Sequence, residues 1–394
     1  MKKRIGIVTS TRADWGLLSP LANQLKLSRW AELVIFATGT HFLDSYGLTY
    51  KNILQDGFEI AERIDAQLYP ISAASINKTI ALTIAGFADV FQRNRVDLLV
   101  VLGDRYEILA VSFAAANERI PIAHLHGGEQ TEGALDESFR HAITKMSSIH
   151  FTANELYRKR VIQLGENPKT VFNVGAIGVD NILNHPYSTS DELASFLGIG
   201  SLERPYAVVT FHPETIVSQK DADKQLDILL SSLDLFTDIL FIFTLSNADL
   251  GSLLYNQRIQ EFCQEGKNRL AVGSMGNYYY LGAIRNASFV IGNSSSGIIE
   301  VPYFKVPTIN IGDRQRGRIA PKSVINCPVK RESIISAIQE ARSASFLNSL
   351  ANMEQLYGDG HTAKKIVAIL EDELSIMVSN QSRRKGFFDI NFSV

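Results

Sequence analysis

Six short runs in this sequence combine residue types that can move protons and hold anions. The first is Thr9-Ser-Thr-Arg-Ala-Asp14, where Arg12 can reach a phosphate. It lacks the G-x-G-x-x-G fingerprint, so a bound dinucleotide is not expected. Asp14 also reads as a helix cap and Arg12 as a surface charge. The second is Gly103-Asp104-Arg105. A carboxylate beside a guanidinium suits a general base next to an anion clamp; the pair also reads as a turn aspartate capping the next helix with a solvated arginine. The third is His124-Leu-His-Gly-Gly-Glu129, followed by Asp136, Glu137, Arg140 and His141. Strand alternation points His124 and His126 the same way, and the paired glycines let a ligand approach the backbone. Glu129 and Glu137 can serve as acid and base. The His and Glu spacing matches no H-E-x-x-H pattern, so no metal is expected. Glu137 alternatively is a favourable charge in a first helical turn.

The fourth run, Phe211-His-Pro-Glu-Thr215, offers His212 as a donor to a pyrophosphate or a leaving group, or as a structural histidine. The fifth, Gly292-Asn-Ser-Ser-Ser-Gly297, places the hydroxyls of Ser294, Ser295 and Ser296, with Gly297, where a helix should start. Such a run reads as an anion pocket or as a helix cap. Glu300 would lie in that helix's first turn and could accept the hydroxyls of a ribose. The sixth, Gly312-Asp-Arg-Gln-Arg-Gly-Arg318, carries Arg314 and Arg318, suited to a diphosphate or to a solvated basic loop.

The elements that must position these runs follow from hydrophobic periodicity. Strands are expected at 4–9, 31–37, 98–102, 122–125, 150–153 and 171–174, and helices at 17–26, 75–92, 108–117, 138–146 and 155–164. A polar stretch at 185–204 reads as a connection containing a short helix. The alternation restarts with strands at 206–211, 239–244, 270–272, 288–291 and 308–311. Helices are expected at 224–233, 253–265, 279–286 and 298–304, with a long final helix at 362–377. Strands apolar on both faces, such as Leu-Leu-Val-Val-Leu at 98–102, indicate parallel sheets covered by helices. The expectation is α/β: two doubly wound, Rossmann-like domains facing a central cleft. Each run follows a strand, where open α/β sheets place ligands.

Composition narrows the function. Of 394 residues, 45% are hydrophobic and 20% charged, which fits a globular chain of two or three domains. The net charge of −2 gives no field for nucleic acid or an anionic membrane. Cys263 and Cys327 stand far apart, so neither a disulfide framework nor a zinc site is expected. Behind Met-Lys-Lys-Arg the apolar run is too short for a secretion signal, and the expected location is the cytoplasm. The tail run Gly386-Phe-Phe-Asp-Ile is apolar enough to dock on the fold.

In order, these segments resemble the UDP-N-acetylglucosamine 2-epimerase family over nearly the whole chain. The resemblance rests on Val-Leu-Gly-Asp-Arg-Tyr-Glu at 101–107, His-Gly-Gly-Glu at 126–129 and Phe-Arg-His-Ala-Ile-Thr-Lys-Met at 139–146. It continues through Phe-His-Pro-Glu-Thr at 211–215, Ser-Asn-Ala-Asp at 246–249, Gly-Asn-Ser-Ser-Ser-Gly at 292–297 and Ile-Asn-Ile-Gly-Asp-Arg-Gln at 309–315. It is strongest to the hydrolysing branch that makes N-acetylmannosamine for sialic acid synthesis. It implies a GT-B fold with an N-terminal domain at 1–184, a UDP-binding domain at 185–361, and a final segment at 362–394 returning to the first domain. It implies catalytic carboxylates at Asp104, Glu129 and Glu137 and a functional histidine at His212. Ser295, Ser296 and Glu300 match UDP-binding positions, and Arg12, Asn247 and Arg318 other nucleotide-sugar contacts. By the residue reading, Arg105, Ser294, Gly297 and Arg314 join the anion-binding set.

The implied reaction eliminates UDP while a carboxylate removes the proton on carbon 2. Water then adds at carbon 1 and a proton returns to carbon 2 on the other face. No cofactor is needed, and the expected partners are the UDP-sugar, UDP and identical chains in a homodimer or homotetramer. A hydrolysing epimerase of UDP-N,N′-diacetylbacillosamine, a GT-B glycosyltransferase and a non-catalytic UDP-sugar binder remain alternatives.

Overall fold

A computed structural model describes residues 2–68, 72–130, 136–214, 217–245, 252–273, 275–379 and 385–391. The chain forms two compact units: residues 1–129, 136–181 and 357–394, and residues 130–135 and 182–356.

Unit 1 runs β1 (Lys3–Thr9), α1 (Arg12–Leu27), β2 (Ala31–Thr38), α2 (Tyr50–Gln55), β3 (Glu62–Ile64), α3 (Ala73–Arg93), β4 (Leu98–Leu102) and α4 (Tyr106–Asn117). It continues with β5 (Ile122–Leu125), α5 (Asp136–Met146), β6 (Ile149–Thr152), α6 (Glu155–Gln163) and β7 (Val171–Asn173). The strands form one parallel sheet in the order β3-β2-β1-β4-β5-β6-β7. β4 shows why it forms. Leu98, Val100 and Leu102 enter a core with Trp15, Leu18 and Leu25 of α1, while Leu99 and Val101 enter another with Phe87, Val111 and Ile143. A strand with both faces buried has no polar side, and helices must cover both.

The chain leaves unit 1 within α7 (Gly178–Asn184). Unit 2 holds α8 (Ser190–Leu197), β8 (Tyr206–Thr210), α9 (Gln219–Leu233), β9 (Leu240–Thr244), α10 (Ser252–Gln264) and β10 (Arg269–Val272). It continues with α11 (Gly276–Asn286), β11 (Phe289–Gly292), α12 (Ser296–Ile299), β12 (Thr308–Ile311), β13 (Val324–Cys327), α13 (Arg331–Ala341) and α14 (Ala344–Ser349). Its sheet, also parallel, has the order β10-β9-β8-β11-β12-β13. Two parallel, helix-covered sheets match the expected α/β class.

The final helix, α15 (Thr362–Ser379), belongs to unit 1. Asp180 caps it: Thr362 N and Ala363 N donate to its two carboxylate oxygens at 2.9 and 2.7 Å. Ala363, Ile366, Leu370 and Leu374 form its buried stripe beside α1. The three larger side chains contribute roughly 1.5–3 kcal/mol each on burial. Among the described residues, no helix is long and apolar enough to cross a membrane.

The helix expected at 298–304 is broken. Four residues of α12 are followed by a 3-10 turn at Val301–Phe304, because Pro302 cannot continue the α-helical hydrogen bonding. Glu300 therefore stands at the C-cap of α12 instead of in a first turn. Four residues also make a weak dipole, which removes most of the helix contribution expected at the serine run.

Candidate functional site

In unit 1 three candidate runs follow the adjacent strands β1, β4 and β5. After β1, Thr11 caps α1, with Asp14 N donating to its hydroxyl at 3.2 Å. Asp14 is thus not the cap; its carboxylate accepts from Ser10 N and Ser10 Oγ at 3.1 and 2.6 Å. Arg12 opens α1, half-buried, and burial pushes its guanidinium below its ordinary value. Among the described residues nothing pairs with it. A desolvated, unpaired guanidinium favours an anion.

After β4, Gly103 turns the chain with a φ of +75° and Asp104 follows. Arg105 is committed to Glu107: Nε and Nη2 lie 3.2 and 3.3 Å from its two oxygens. Glu107 is fully buried, and burial raises its carboxyl against the opposing pull of Arg105. This pairing makes Arg105 a counter-ion first.

The decisive group is Arg140 on α5, only 3% exposed. Its Nη2 donates to Asp104, and its Nη1 donates to His126 O at 3.1 Å and lies 3.8 Å from Glu129 Oε2. His126 Nδ1 donates to Glu129 Oε1 at 2.6 Å. One guanidinium therefore joins two of the predicted carboxylates. Glu137, one turn before Arg140, lies 3.4 Å from His141 on the same helix. Asp104 and Glu137 keep 23% and 29% of their side chains exposed, against 2% for Glu129. Asp104 and Glu137 can meet a ligand, whereas Glu129 is placed to orient its neighbours.

One expectation for this loop is corrected. His124 and His126 do not point the same way, because β5 ends at Leu125 and His126 takes a φ of +66°. His124 is buried: Nε2 donates to Gly103 O at 2.8 Å and Nδ1 accepts from the Thr144 hydroxyl at 3.2 Å. Burial holds it neutral, down at about 3. The paired glycines have a packing reason of their own. A Cβ on Gly128 would stand 2.3 Å from Tyr157 O, and one on Gly127 3.2 Å from Thr144 Oγ1.

In unit 2 the remaining runs follow β8, β11 and β12, again adjacent. Fully buried Asn293 ties their loops together. Its Oδ1 accepts from His212 N at 2.7 Å and its Nδ2 donates to His212 O at 2.8 Å. Its own carbonyl accepts from Arg314 Nη1 at 3.2 Å and Gln315 Nε2 at 2.9 Å. Glu214 adds a second tie by accepting from Asp313 N at 3.0 Å.

Ser294, Ser295 and Ser296 lie at the start of α12, and Ser294 Oγ accepts from Ser296 N at 3.4 Å. The Ser296 hydroxyl donates to Glu300, and Tyr280 donates to that hydroxyl at 2.7 Å. Gly297 packs against β12, where a Cβ would meet Thr308 Cγ2 at 2.7 Å. Arg318, half-buried, closes the turn that begins at Asp313, its N donating to Gln315 O at 3.2 Å. Asn247, with the whole 246–249 run, and Thr215 lie outside the described residues.

Sequence reasoning left out Arg140, Asn293, Glu214, Glu107 and Tyr280 as site residues. Arg140 carried a spacing signal, three residues beyond Glu137 on one helix face, and Glu107, Glu214 and Asn293 lie inside the quoted runs. Among the described residues, no group of three or more His, Cys, Asp or Glu is placed to hold a metal ion.

The pattern of the family described as UDP-N-acetylglucosamine 2-epimerase matches residues 23–371. The chain belongs to this family. The polysialic acid biosynthesis protein P7 of Escherichia coli is 40% identical over 389 residues, 98% of each chain. The GDP/UDP-N,N′-diacetylbacillosamine 2-epimerase (hydrolyzing) of Campylobacter jejuni is 38% identical, covering 88% of this chain and 89% of that one. The crystal structure of UDP-GlcNAc 2-epimerase from Neisseria meningitidis bound to UDP-GlcNAc has a TM-score of 0.81 at 17% identity. It covers 94% of this chain and 100% of its own, a likeness of fold.

Proposed function

We propose that this family member is a hydrolysing 2-epimerase that converts UDP-N-acetylglucosamine and water into N-acetylmannosamine and UDP. The observation that carries the reading is Arg140, which joins Asp104 and Glu129 at the ends of β4 and β5. Asp104 and Glu137, the accessible pair, exchange the carbon-2 proton. One removes it as the bond from carbon 1 to the UDP oxygen breaks, and the electron pair of that bond leaves with UDP. The double bond between carbons 1 and 2 then takes hydroxide from water at carbon 1 and a proton at carbon 2 on the opposite face. Glu129, held by His126 and Arg140, sets the orientation of the Asp104 loop.

Unit 2 supplies the nucleotide contacts. His212, Ser294, Ser295, Ser296, Gly297, Arg314 and Arg318 face the diphosphate, and Glu300 the ribose. Arg12, unpaired among the described residues, adds a cation, and Asn247 joins the sugar-nucleotide contacts. Fixed donors aimed at a departing diphosphate lower the barrier because charge develops there. The active species is a homodimer or homotetramer, which light scattering measures.

A second reading keeps the reaction and changes the sugar. Relatives 38% and 33% identical are named as 2-epimerases of N,N′-diacetylbacillosamine nucleotides. Incubation with each UDP-sugar in deuterated water, followed by NMR, decides between them. The expected product is N-acetylmannosamine deuterated at carbon 2. Asp104→Asn should bind UDP but lose about 10²–10⁴ in turnover. Active enzyme that leaves carbon 2 unlabelled refutes the elimination route.

A further inference from the structure

The described tail, residues 385–391, is attached to unit 1 at the far end of the helix that carries Arg140. Lys385 Nζ donates to Thr144 O at 3.2 Å and to Ser147 O. α5 ends at Met146, so these carbonyls belong to its last turn and the residue after it. Thr144 O also accepts from Ser147 N at 3.1 Å, so Lys385 is a second donor there; the carbonyls of a last turn form the negative end of a helix, which a cation complements.

Lys385 Nζ also lies 2.9 Å from Glu166, a carboxylate only 3% exposed. Lys145 Nζ lies 2.6 Å from the same group, and His150 Nε2 donates to it at 3.1 Å. Burial alone would raise Glu166, but the hydrogen bonds from His150, Lys145 and Lys385 outweigh it and hold it down at about 2. One ammonium suffices to neutralise one carboxylate, and Lys145 provides it. The second ammonium, that of Lys385, is the one aimed at the end of α5.

Further contacts hold the tail. Phe388 N donates to Gly165 O at 2.8 Å, and the Lys145 ammonium stands 5.2 Å from the centre of the Phe387 ring. Gly165 has a φ of +86°, and a Cβ there would stand 2.3 Å from that ring, so the tail needs glycine at this position.

Thr144 connects this clamp to the acid–base loop in two ways. It lies one turn after Arg140 on α5. Its hydroxyl also donates to His124, which donates to Gly103 O, the residue before Asp104. We propose that Lys385 is a positioning residue for the reaction. By capping α5 it fixes where that helix sits along its axis, and so the hold of Arg140 on Asp104. Lys385 acts through Arg140, and the proposal rests on Asp104 and Arg140 being part of the reaction machinery.

The test uses the full chain with Lys385→Met and Lys385→Arg. A misplacement of this kind costs a reaction about tenfold or more. Lys385→Met should therefore lower kcat about tenfold, leave UDP affinity unchanged by calorimetry, and speed amide hydrogen exchange at 140–146 without substrate. Lys385→Arg should restore most of kcat. Unchanged exchange in Lys385→Met, or equal losses of kcat and UDP affinity, overturns the proposal even if Asp104→Asn is inactive. Full turnover by Asp104→Asn instead removes the underlying assignment, and the proposal falls with it.

Discussion

Replacing Arg140 with Met keeps most of the buried stem and deletes the guanidinium that Asp104 and Glu129 share. Arg140 and Glu129 are 3% and 2% exposed, so water cannot take over the lost contacts at Glu129. Breaking a buried ion pair by removing one partner costs about 3–5 kcal/mol, because a charge stays buried without compensation. Two features here favour the lower end. Glu129 keeps its 2.6 Å hydrogen bond from His126, and Asp104 is 23% exposed and partly hydrated. The expected loss is about 3 kcal/mol. Adding Glu129→Gln removes the stranded charge but keeps an acceptor for His126, so the double variant should recover at least about 1 kcal/mol. The assay is urea unfolding followed by tryptophan fluorescence. Both tryptophans of the chain, Trp15 and Trp30, lie in unit 1, so the signal follows that unit alone. A single variant within about 1 kcal/mol of the parent, or strictly additive effects in the double variant, would show that Arg140 does not hold these carboxylates as described.

Two further outcomes follow from buried polar groups. His124 sits at about 3 when folded, below its ordinary 6.5. Protons therefore bind the unfolded chain first: stability is complete above pH 6.5 and falls as pH drops toward 3. At about 1.4 kcal/mol per pH unit the loss is on the order of 5 kcal/mol. The stability difference between parent and His124→Gln should narrow from pH 7 to pH 4 in urea titrations, and parallel profiles would contradict it. Asn293→Leu keeps the side-chain volume but strands His212 N–H and C=O, at about 1–3 kcal/mol each. UDP affinity measured by calorimetry should fall at least about tenfold while the tryptophan transition of unit 1 stays in place; undiminished affinity would remove Asn293 from the site.

The strands that build the two sheets were readable where both faces are buried. Leu98–Leu102 is apolar throughout because two cores claim alternate side chains. β3 and β13 are not legible in the sequence, although β7 and β10, equally short strands at the opposite sheet edges, are. Glu-Arg-Ile in β3 has no periodicity to detect. Helix starts were read late for a related reason. α1 begins at Arg12 and α9 at Gln219, five residues before the first apolar stripe suggests. Their opening turns are polar and are capped by Thr11 and Ser218, so the signal there is a capping hydroxyl and an early acidic residue.

The candidate site divides along the same physical line. Its residues stand at strand ends, and strand ends are a local property that a single segment reveals. Its pairings are not local. Arg140 meets Asp104 across 36 positions and Asn293 meets His212 across 81, and no spacing rule reaches that far. Gly127 and Gly128 show the cost of reading chemistry without partners. Two glycines in a loop announce only that a side chain would not fit. Whether the space belongs to a ligand or to the Tyr157 carbonyl is decided by α6, which the loop's own sequence does not contain. The serine run makes the same point from the other side: its hydroxyls were legible, but Pro302 cut the helix behind them to four residues. Any anion held there must rely on hydroxyls and on Arg314 and Arg318 rather than on a helix dipole, so removing those two cations should weaken diphosphate binding more than lengthening α12 could strengthen it.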